Sequence, residues 1–508
     1  MKNFSLACFQ NTPLDIEVTG DCPIKNPYYA ELQGIFTGPD GENIIVPGFY
    51  NGSNKWIVRF APTTLGQWRY SIRSTHIILD HVSGILNAQP SINPNNHGAL
   101  MVDPDHPHHF KYADGSACFL MGYECNWFWA MVFREGGYQK AESFLDRLVD
   151  HGFNQIIMNT YAHDTMWSPG NTSELDYGPP DVYMWEGSND APNHTRMNPD
   201  FFRGYDAIMH LLLEKGMSVH LYMKVYNKCV NWPEKHSYEE EMYFKYIVAR
   251  YQAYPNVIWD FAKESYLEQD KAYIRRSLNL IKTYDGYKRL MTIHDDPKYY
   301  QGDDQGACLD FVTLQKHQEF YASILLERSI RKWPVLNAEF GYEQGPGGSK
   351  DITYNVGQSA EELISRAYEI VMAGGYIAYY YTYTAWDVID DACLPIGYKY
   401  FNLLKDFFTS ISWWKLEPHT DICSWSGRCL ADPGKEYIFY LAPGKGTLLN
   451  LGLKRQKIEG EWMNILTGER VEASCVAFPE WINPEGFLTY KCPFDDAYGI
   501  LHIKTEDA

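Results

Sequence analysis

The sequence has no long apolar segment and no excess of basic residues. No stretch reaches about 18 consecutive apolar residues, the length that a transmembrane helix needs, so we expect no membrane anchor. Asp and Glu number 64 and Lys and Arg only 44, which gives a formal net charge of -20 at pH 7. Because phosphate backbones and anionic lipids attract basic surfaces, this charge argues against nucleic acid and membranes as partners.

Signals for cysteine pairing are missing as well. The 11 cysteines are odd in number, scattered along the chain, and include no Cys-x-x-Cys pair. This usage favours reduced thiols over a disulfide framework. The first nine residues are too short and become polar too soon to form a signal peptide. We therefore expect a cytoplasmic protein.

Aromatic residues, in contrast, are abundant. They make up 16% of the chain, with 39 Tyr and 15 Trp. Tyr and Trp combine a flat apolar face with one polar group, which suits the C–H faces and hydroxyl edges of sugars. Large hydrophobic cores account for most of these residues. A chain of 508 residues is too long for a single core, so we expect several domains.

The pattern of secondary-structure signals changes twice along the chain. Residues 1–100 contain short alternating strands separated by turn clusters, which predicts an N-terminal β-sandwich, and Pro90–Pro107 has the composition of a linker. Residues 101–412 alternate strand-like and helical segments and predict a (β/α)8 TIM barrel. Residues 413–508 are β-rich again and predict a second β-sandwich. A doubly wound open sheet is the competing α/β layout, but no Gly-rich phosphate loop follows the first strand.

The predicted barrel has eight strands and interleaved helices. The strands lie near 118–124, 154–160, 217–224, 256–261, 288–293, 310–315, 333–338 and 376–382, and four helices cover Tyr138–His151, Phe201–Lys215, Tyr238–Tyr254 and Ala360–Ala373. Residues 163–200 form a long loop after the second strand, and loops of this length usually shape a site.

Two of these strands deliver a glutamate at their C-terminal ends. Asn256–Glu264 and Pro334–Gly341 are apolar runs of strand length that carry Glu264 and Glu339. In a parallel barrel this end opens into the active site, and two carboxylates across such a site are what glycoside hydrolysis requires. The plainer alternative for either residue is a surface glutamate paired with a nearby base such as Lys263.

Other strand ends carry groups that suit sugar recognition. Amide, carboxylate and imidazole groups bind hydroxyls, and Trp stacks on sugar rings. For any single one of these residues, packing or a structural hydrogen bond is the commoner role. The predicted substrate-binding residues are Glu124, Asn126, Trp127, Asn159, Tyr161, His163, Lys224, Lys263, His294, Asp295, Gln315, His317, Tyr383 and Trp386.

Several blocks of the sequence resemble a known family. Asn256–Trp259 with Glu264, Asn337–Gly341 and Trp386 resemble the barrels of glycoside hydrolase clan A. Within that clan, Phe110–Gly122 is similar to the start of the barrel in apiosidase-like glycoside hydrolases. Val46–Trp68 resembles the sandwich that precedes such barrels, and Cys429–Tyr437 resembles a small domain termed collagen-binding in related chains.

The resemblance implies roles for the two glutamates. Glu264 would be the acid/base and Glu339 the nucleophile of a retaining mechanism, with Glu343 as the rival nucleophile. Most clan A barrels place Asn directly before the acid/base, where it binds the sugar 2-hydroxyl, whereas this chain has Lys263. Either the substrate differs at that hydroxyl or another residue such as Asn159 makes the contact.

We therefore predict a retaining glycoside hydrolase for plant-type oligosaccharides or polysaccharide side chains, and we expect exo action. One alternative is a non-catalytic carbohydrate-binding protein on a degenerate barrel, and another gives the C-terminal domain a protein-binding role. We expect no cofactor and no metal, because Asp105–His109 and the Asp pairs at 295–296 and 303–304 lack the spacing of metal ligands. The sequence leaves a homo-oligomer open.

Overall fold

The computed structural model describes residues 5–21, 23–80, 82–166, 174–294, 308–346, 357–424, 427–450, 458–475 and 487–505. Among these residues, no helix combines the length and the apolar character that crossing a membrane requires.

The N-terminal part consists of two facing sheets. Its strands are β1 (Ser5–Phe9), β2 (Leu14–Thr19), β3 (Leu32–Thr37), β4 (Asn43–Pro47), β5 (Phe49–Tyr50), β6 (Lys55–Phe60), β7 (Gly66–Ser74) and β8 (Ser83–Gln89). One sheet has the order β1-β8-β7-β3-β4 and the other β2-β6-β5. Phe36 of the first sheet stacks on Phe60 of the second at 3.8 Å between ring centroids, within one buried cluster.

The middle of the chain carries the largest sheet. The strands of this middle part, in several sheets, are β9 (Leu100–Val102), β10 (Phe110–Tyr112), β11 (Ala117–Cys118), β12 (Met121–Glu124), β13 (Gln155–Asn159), β14 (Trp185–Ser188), β15 (Ala191–Met197), β16 (Ser218–Val225), β17 (Val257–Lys263), β18 (Met291–Thr292), β19 (Val312–Leu314), β20 (Val335–Asn337), β21 (Tyr342–Glu343), β22 (Gly357–Gln358) and β23 (Tyr376–Tyr379). The predicted linker is more ordered than expected, because it contains β9, which pairs with β10.

Eight of these strands form the predicted barrel. The parallel sheet has the order β18-β17-β16-β13-β12-β23-β20-β19. Its two edge strands meet through a parallel bridge between His294 and Thr313, next to a 2.9 Å contact between the hydroxyls of Thr292 and Thr313. The (β/α)8 prediction is confirmed. The first predicted strand is split into β11 and β12, and only β12 belongs to the barrel.

Helices alternate with these strands and cover the outside of the barrel. They are α1 (Gly137–Asp150), α2 (Pro199–Glu214), α3 (Tyr238–Tyr251), α4 (Lys271–Tyr284), α5 (Phe320–Ile330), α6 (Ala360–Met372) and α7 (Tyr398–Thr409). Capping residues explain several of their starts. Asn198, Ser237, Asp270 and Ser359 each accept a hydrogen bond from a backbone N–H of the first turn.

The C-terminal part returns to antiparallel sheets. Its strands are β24 (Glu417–Pro418), β25 (Arg428–Asp432), β26 (Glu436–Leu441), β27 (Gly446–Asn450), β28 (Ile458–Asn464), β29 (Arg470–Glu472), β30 (Phe487–Lys491) and β31 (Gly499–Thr505). Six form a sheet with the order β24-β25-β26-β31-β28-β29, and β27 pairs with β30. A separate buried cluster lies between them. Antiparallel sheets thus flank the barrel on both sides, as predicted.

A buried ionic cluster joins the N-terminal sheets to the barrel. Asp206 of α2 accepts hydrogen bonds from Arg59 of β6 at 2.9 and 3.3 Å. It also accepts two from Arg250 of α3, both at 2.8 Å. Asp15 of β2 binds the far side of Arg59 at 2.7 and 3.0 Å. The position of the first domain on the barrel is therefore fixed by charge as well as by apolar packing.

Candidate active site

A cavity opens at the C-terminal ends of the barrel strands. Its volume is about 670 Å³, which is within the range of small-molecule sites. Both Glu264 and Glu339 line it. Its wall consists of Met166, Asn227, Glu264, Tyr266, Leu267, Gln315, His317, Glu339, Tyr342, Gln358, Arg366 and Trp386. Two strands that lie apart in the sheet therefore bring their terminal carboxylates to one space.

Glu339 is held by three hydrogen-bond donors. Lys263 Nζ lies 2.9 Å from Oε2, Gln315 Nε2 lies 3.0 Å from Oε1, and the Tyr342 hydroxyl donates to Oε1 as well. Asn337, at the end of β20, accepts a hydrogen bond from the backbone N–H of Glu339 at 3.4 Å. The side chain is thus fixed at both of its oxygens and through its backbone.

These contacts keep Glu339 ionised. Burial alone would raise the pKa of this carboxyl, and it is the largest single influence, but the Lys263 ammonium, His294 and the Tyr342 hydroxyl together outweigh it. The net result is a pKa well below the usual range for glutamate. A carboxylate that is charged across the neutral pH range and faces a cavity has the protonation state of a nucleophile.

Lys263 also binds a second buried carboxylate. Its Nζ lies 2.5 Å from Oε1 of Glu124, which ends β12 and also accepts a hydrogen bond from Asn126 Nδ2 at 2.8 Å. Burial raises the pKa of Glu124, and the nearby charge of Glu339 adds to this increase. Lys263 therefore lies between two carboxylates beneath the cavity, and only 1% of its surface is exposed.

The orientation of Lys263 departs from strand alternation. Phe261 packs on Tyr273 of α4, outside the barrel, and a regular strand would point residue 263 the same way. Instead, Lys263 Nζ reaches the barrel interior and lies 5.4 Å from the centre of the Tyr222 ring. The pairing between β16 and β17 is interrupted opposite Phe261, between the Tyr222–Asp260 and Lys224–Ala262 pairs. This gap in the pairing lies where the side chains of β17 change from the expected alternation, so that Lys263 points into the barrel.

Glu264 adopts a left-handed backbone conformation. Its φ is 60° and its ψ is 39°, a region that non-glycine residues rarely occupy. The following Ser265 fixes this turn, because its N–H and its hydroxyl both donate to the carbonyl of His294. As a result, the neighbours Lys263 and Glu264 both reach the barrel mouth. Backbone strain of this kind is typical of functional sites.

Two donors orient the Glu264 carboxylate. Asn227 Nδ2 donates to Oε1 at 2.9 Å, and the Tyr266 hydroxyl donates to Oε2. Lys228 Nζ lies 3.0 Å from Oδ1 of Asn227, so its ammonium fixes which way that amide points. Burial lowers the pKa of Lys228 to about 7. Glu264 is thus positioned by Asn227 and Lys228 of the loop that follows β16 and by Tyr266, which follows β17.

Aromatic side chains form one wall of the cavity. The Tyr342 ring stacks on Trp386 at 5.3 Å and on His317 at 6.1 Å between centroids. Trp386 also has a positive φ, 55°, which turns it out of the extended backbone after β23. The wall is apolar on its face and supplies the Tyr342 hydroxyl to Glu339, an arrangement that suits a sugar ring.

The predicted substrate-binding residues divide into those at the cavity, those beneath Glu339 and those elsewhere. Glu124, Asn126, Lys263 and His294 lie beneath Glu339, whereas Gln315, His317 and Trp386 line the cavity directly. Lys224 forms a separate buried ion pair with Glu240 of α3 at 3.0 Å. Trp127, Asn159, Tyr161 and Tyr383 are buried, and His163 contacts the Tyr161 hydroxyl at 3.1 Å. Asp295 lies outside the described residues.

Glu343, the rival nucleophile, faces away from the cavity wall. It accepts hydrogen bonds from the Tyr379 hydroxyl at 2.7 Å and from the Gly397 N–H at 3.0 and 3.1 Å. Burial raises its pKa. Glu343 therefore acts as an acceptor that ties β21 to β23 and to the start of α7.

Several residues of the wall carry no functional signal in the sequence. Tyr342 and Arg366 look like ordinary residues of a strand and a helix, and Gln358 is brought to the cavity by the pairing of β21 with β22. Asn227 was detectable in principle, because it follows β16 directly. Among the described residues, no group of three or more His, Cys, Asp or Glu side chains is arranged to hold a metal ion.

The chain matches two protein-family models. The model of the apiosidase-like catalytic domain matches residues 105–442, which is most of the chain. The chain belongs to the apiosidase-like family. In this apiosidase-like protein, residues 6–75 also match a domain of unknown function, DUF5060. A search of curated protein sequences gives no match.

Solved structures show the same fold at low sequence identity. A candidate glycoside hydrolase from Bacteroides vulgatus superposes with a TM-score of 0.80 at 19% identity and covers 99% of this chain and 100% of its own. A family 5 glycoside hydrolase from the same organism gives a TM-score of 0.61 at 15% identity, with 81% and 94% covered. The apiosidase-like protein therefore has the fold of a glycoside hydrolase throughout, including both flanking β regions.

Proposed function

We propose that this protein is a retaining glycosidase in which Glu339 is the nucleophile and Glu264 the acid/base. The observation that carries the proposal is that both carboxylates line one cavity at the C-terminal rim of the barrel. Their environments differ in the way the mechanism needs, because a buried ammonium binds Glu339 whereas Glu264 is held by neutral donors.

The reaction follows from these positions. Glu339 attacks the anomeric carbon while the bond to the leaving oxygen breaks, and Glu264 gives its proton to that oxygen. The resulting glycosyl ester on Glu339 is then attacked by water. Glu264 takes the proton from the water, the ester bond breaks, and Glu339 recovers its charge.

We further propose exo action on short plant-type oligosaccharides or side chains. The cavity has room for few sugar rings, and Met166 from the long loop after β13 forms part of its wall. Exposed apolar side chains of Met166, Tyr266 and Leu267 surround the opening and suit the face of a second ring or an aglycone.

The ten cysteines of the described residues are free thiols, which favours a reducing compartment.

Turnover of aryl glycosides and plant oligosaccharides, followed by the anomeric form of the first product, tests the proposal. We expect a product of retained configuration and a loss of about 10⁴-fold or more in kcat for Glu339→Gln. Glu343→Gln is the matched control, because it alters a buried glutamate four residues away and outside the cavity wall. A product of inverted configuration would refute the retaining mechanism, and full activity of Glu339→Gln would refute the nucleophile.

One observation favours a second candidate function. The Lys263 ammonium balances the negative charge of the Glu339 carboxylate. A non-catalytic binding protein on a degenerate barrel would show the same ion pair. Binding of oligosaccharides by calorimetry, without release of reducing ends from any of them, would favour this alternative.

A further inference from the structure

A buried row of three charged groups lies directly beneath the cavity. Glu124, Lys263 and Glu339 follow one another with nitrogen–oxygen distances of 2.5 and 2.9 Å, and each comes from a different barrel strand end. Their side chains are at most 5% exposed. Lys263 is therefore out of reach of a substrate in the cavity, and any effect it has on the reaction must pass through Glu339.

We propose that Lys263 and Glu124 are positioning residues that act through Glu339: Lys263 holds this carboxylate ionised and in one orientation, and Glu124 keeps Lys263 paired when Glu339 becomes an ester. The inference rests on the proposed function. Its physical reason is that a buried ammonium without a carboxylate partner strongly destabilises the state in which it occurs.

The need for two carboxylates follows from the charge changes of the reaction. In the free protein, the Lys263 ammonium faces the negative charge of Glu339. Formation of the glycosyl ester removes that charge, while Lys263 stays buried. Glu124, which also contacts Lys263, then provides the remaining carboxylate partner. Other ionisable groups that interact with Lys263 or Glu339 are Tyr222, Lys228, His294, His317, Tyr342 and Tyr380.

Two substitutions separate the two roles. In Lys263→Met, Glu339 loses the ammonium group that binds it. The acidic limb of the pH profile of kcat/KM should therefore move to higher pH by one unit or more. In Glu124→Gln, Lys263 keeps Glu339, so this limb should not move upward. An activated 2-deoxy-2-fluoro glycoside should esterify Glu339 at least tenfold more slowly in Glu124→Gln, because the ester leaves Lys263 without a charged partner.

Arg250→Met is the matched control, because Arg250 is another fully buried cation, and its ion pair with Asp206 lies outside the cavity. It should lower thermal stability and leave the pH profile unchanged. An unmoved acidic limb in Lys263→Met, or an unchanged esterification rate in Glu124→Gln, would overturn the corresponding half of the proposal.

A thermal double-mutant cycle tests the Lys263–Glu339 pair without any substrate. The loss of melting temperature in the Lys263→Met, Glu339→Gln double variant should be smaller than the sum of the two single losses. Additive losses would overturn the pairing. If the pair is coupled but Glu339→Gln remains active, the proposed mechanism fails instead, so the two failures are distinguishable.

Discussion

Replacing Tyr342 by Phe removes one hydroxyl from the site and leaves the ring in place. This hydroxyl donates to Oε1 of Glu339, whereas the ring packs between Trp386 and His317. Phe retains both ring contacts. The substitution therefore tests how much this hydrogen bond contributes to the charge of Glu339, with little change in the shape of the wall.

The expected rise in the pKa of Glu339 follows from the loss of one of its three hydrogen-bond donors. A hydrogen bond to a charged group contributes about 1.5–3 kcal/mol, and a change of one pKa unit corresponds to about 1.4 kcal/mol. Loss of the donor would thus raise the pKa of Glu339 by about one to two units. Because Lys263 and Gln315 still bind this carboxylate, we expect the lower end of that range.

The pH dependence of kcat/KM measures this shift. Glu339 must be ionised to attack, and its pKa is depressed, so activity is lost as the pH falls through that pKa. A higher pKa moves the acidic limb upward, by about one unit for Tyr342→Phe. At pH 7 the carboxylate stays ionised, so kcat/KM there should change by less than about tenfold.

Tyr379→Phe is the control for this experiment. It removes an equivalent hydrogen bond between a buried tyrosine and a buried glutamate, Glu343, away from the cavity. The control should leave the acidic limb in place. If Tyr342→Phe gives the wild-type limb as well, the limb does not report Glu339 or this hydroxyl does not stabilise its charge, and our reasoning is refuted.

Three further predictions concern other parts of the molecule. Asp206→Asn should destabilise the protein by about 3–5 kcal/mol in urea unfolding, because Arg250 loses its carboxylate partner. Since the pKa of Asp206 is depressed in the folded protein, this stabilisation is present at pH values above the ordinary Asp pKa and is lost in acid. Equal stability of variant and wild type at pH 7 would contradict the role of this cluster. Glu264→Ala should lower hydrolysis of substrates with poor leaving groups by about 10²–10⁴-fold, and azide should restore turnover of activated substrates as a glycosyl azide; rates independent of the leaving group would argue against an acid/base role. Trp386→Ala should raise KM by about three- to tenfold through loss of ring stacking, measured with the same aryl glycosides, and an unchanged KM would place the sugar elsewhere.

The barrel could be predicted from the sequence because its signals are local. Each buried strand is a short apolar run, and Ser237 and Ser359 start their helices with hydrogen bonds that involve only the next turn. The pair Glu264 and Glu339 was accessible for the same reason, since each residue directly follows a recognisable strand and parallel strands open at a common rim.

The role of Lys263 was beyond sequence reasoning. Adjacent residues of a regular strand point to opposite faces, so Lys263 and Glu264 would not both reach the barrel mouth. The irregular pairing opposite Phe261 and the left-handed backbone at Glu264 reverse this pattern, and both depend on tertiary contacts. The hydroxyl of Tyr342 was missed because it reaches Glu339 only after the chain turns at Gly341, where φ is 149°.

The ionic cluster at Asp206 has a consequence for dividing this protein into smaller fragments. Arg59 comes from the N-terminal sheets, yet one of its guanidinium nitrogens also donates to the backbone carbonyl of Arg250 at 3.0 Å. Removing the residues before the barrel would remove Arg59 and expose the face of the barrel on which it packs. Asp206 would then keep one cation, Arg250, instead of two. The smallest unit worth expressing for crystallography or engineering therefore starts at the first sheet, not at the barrel.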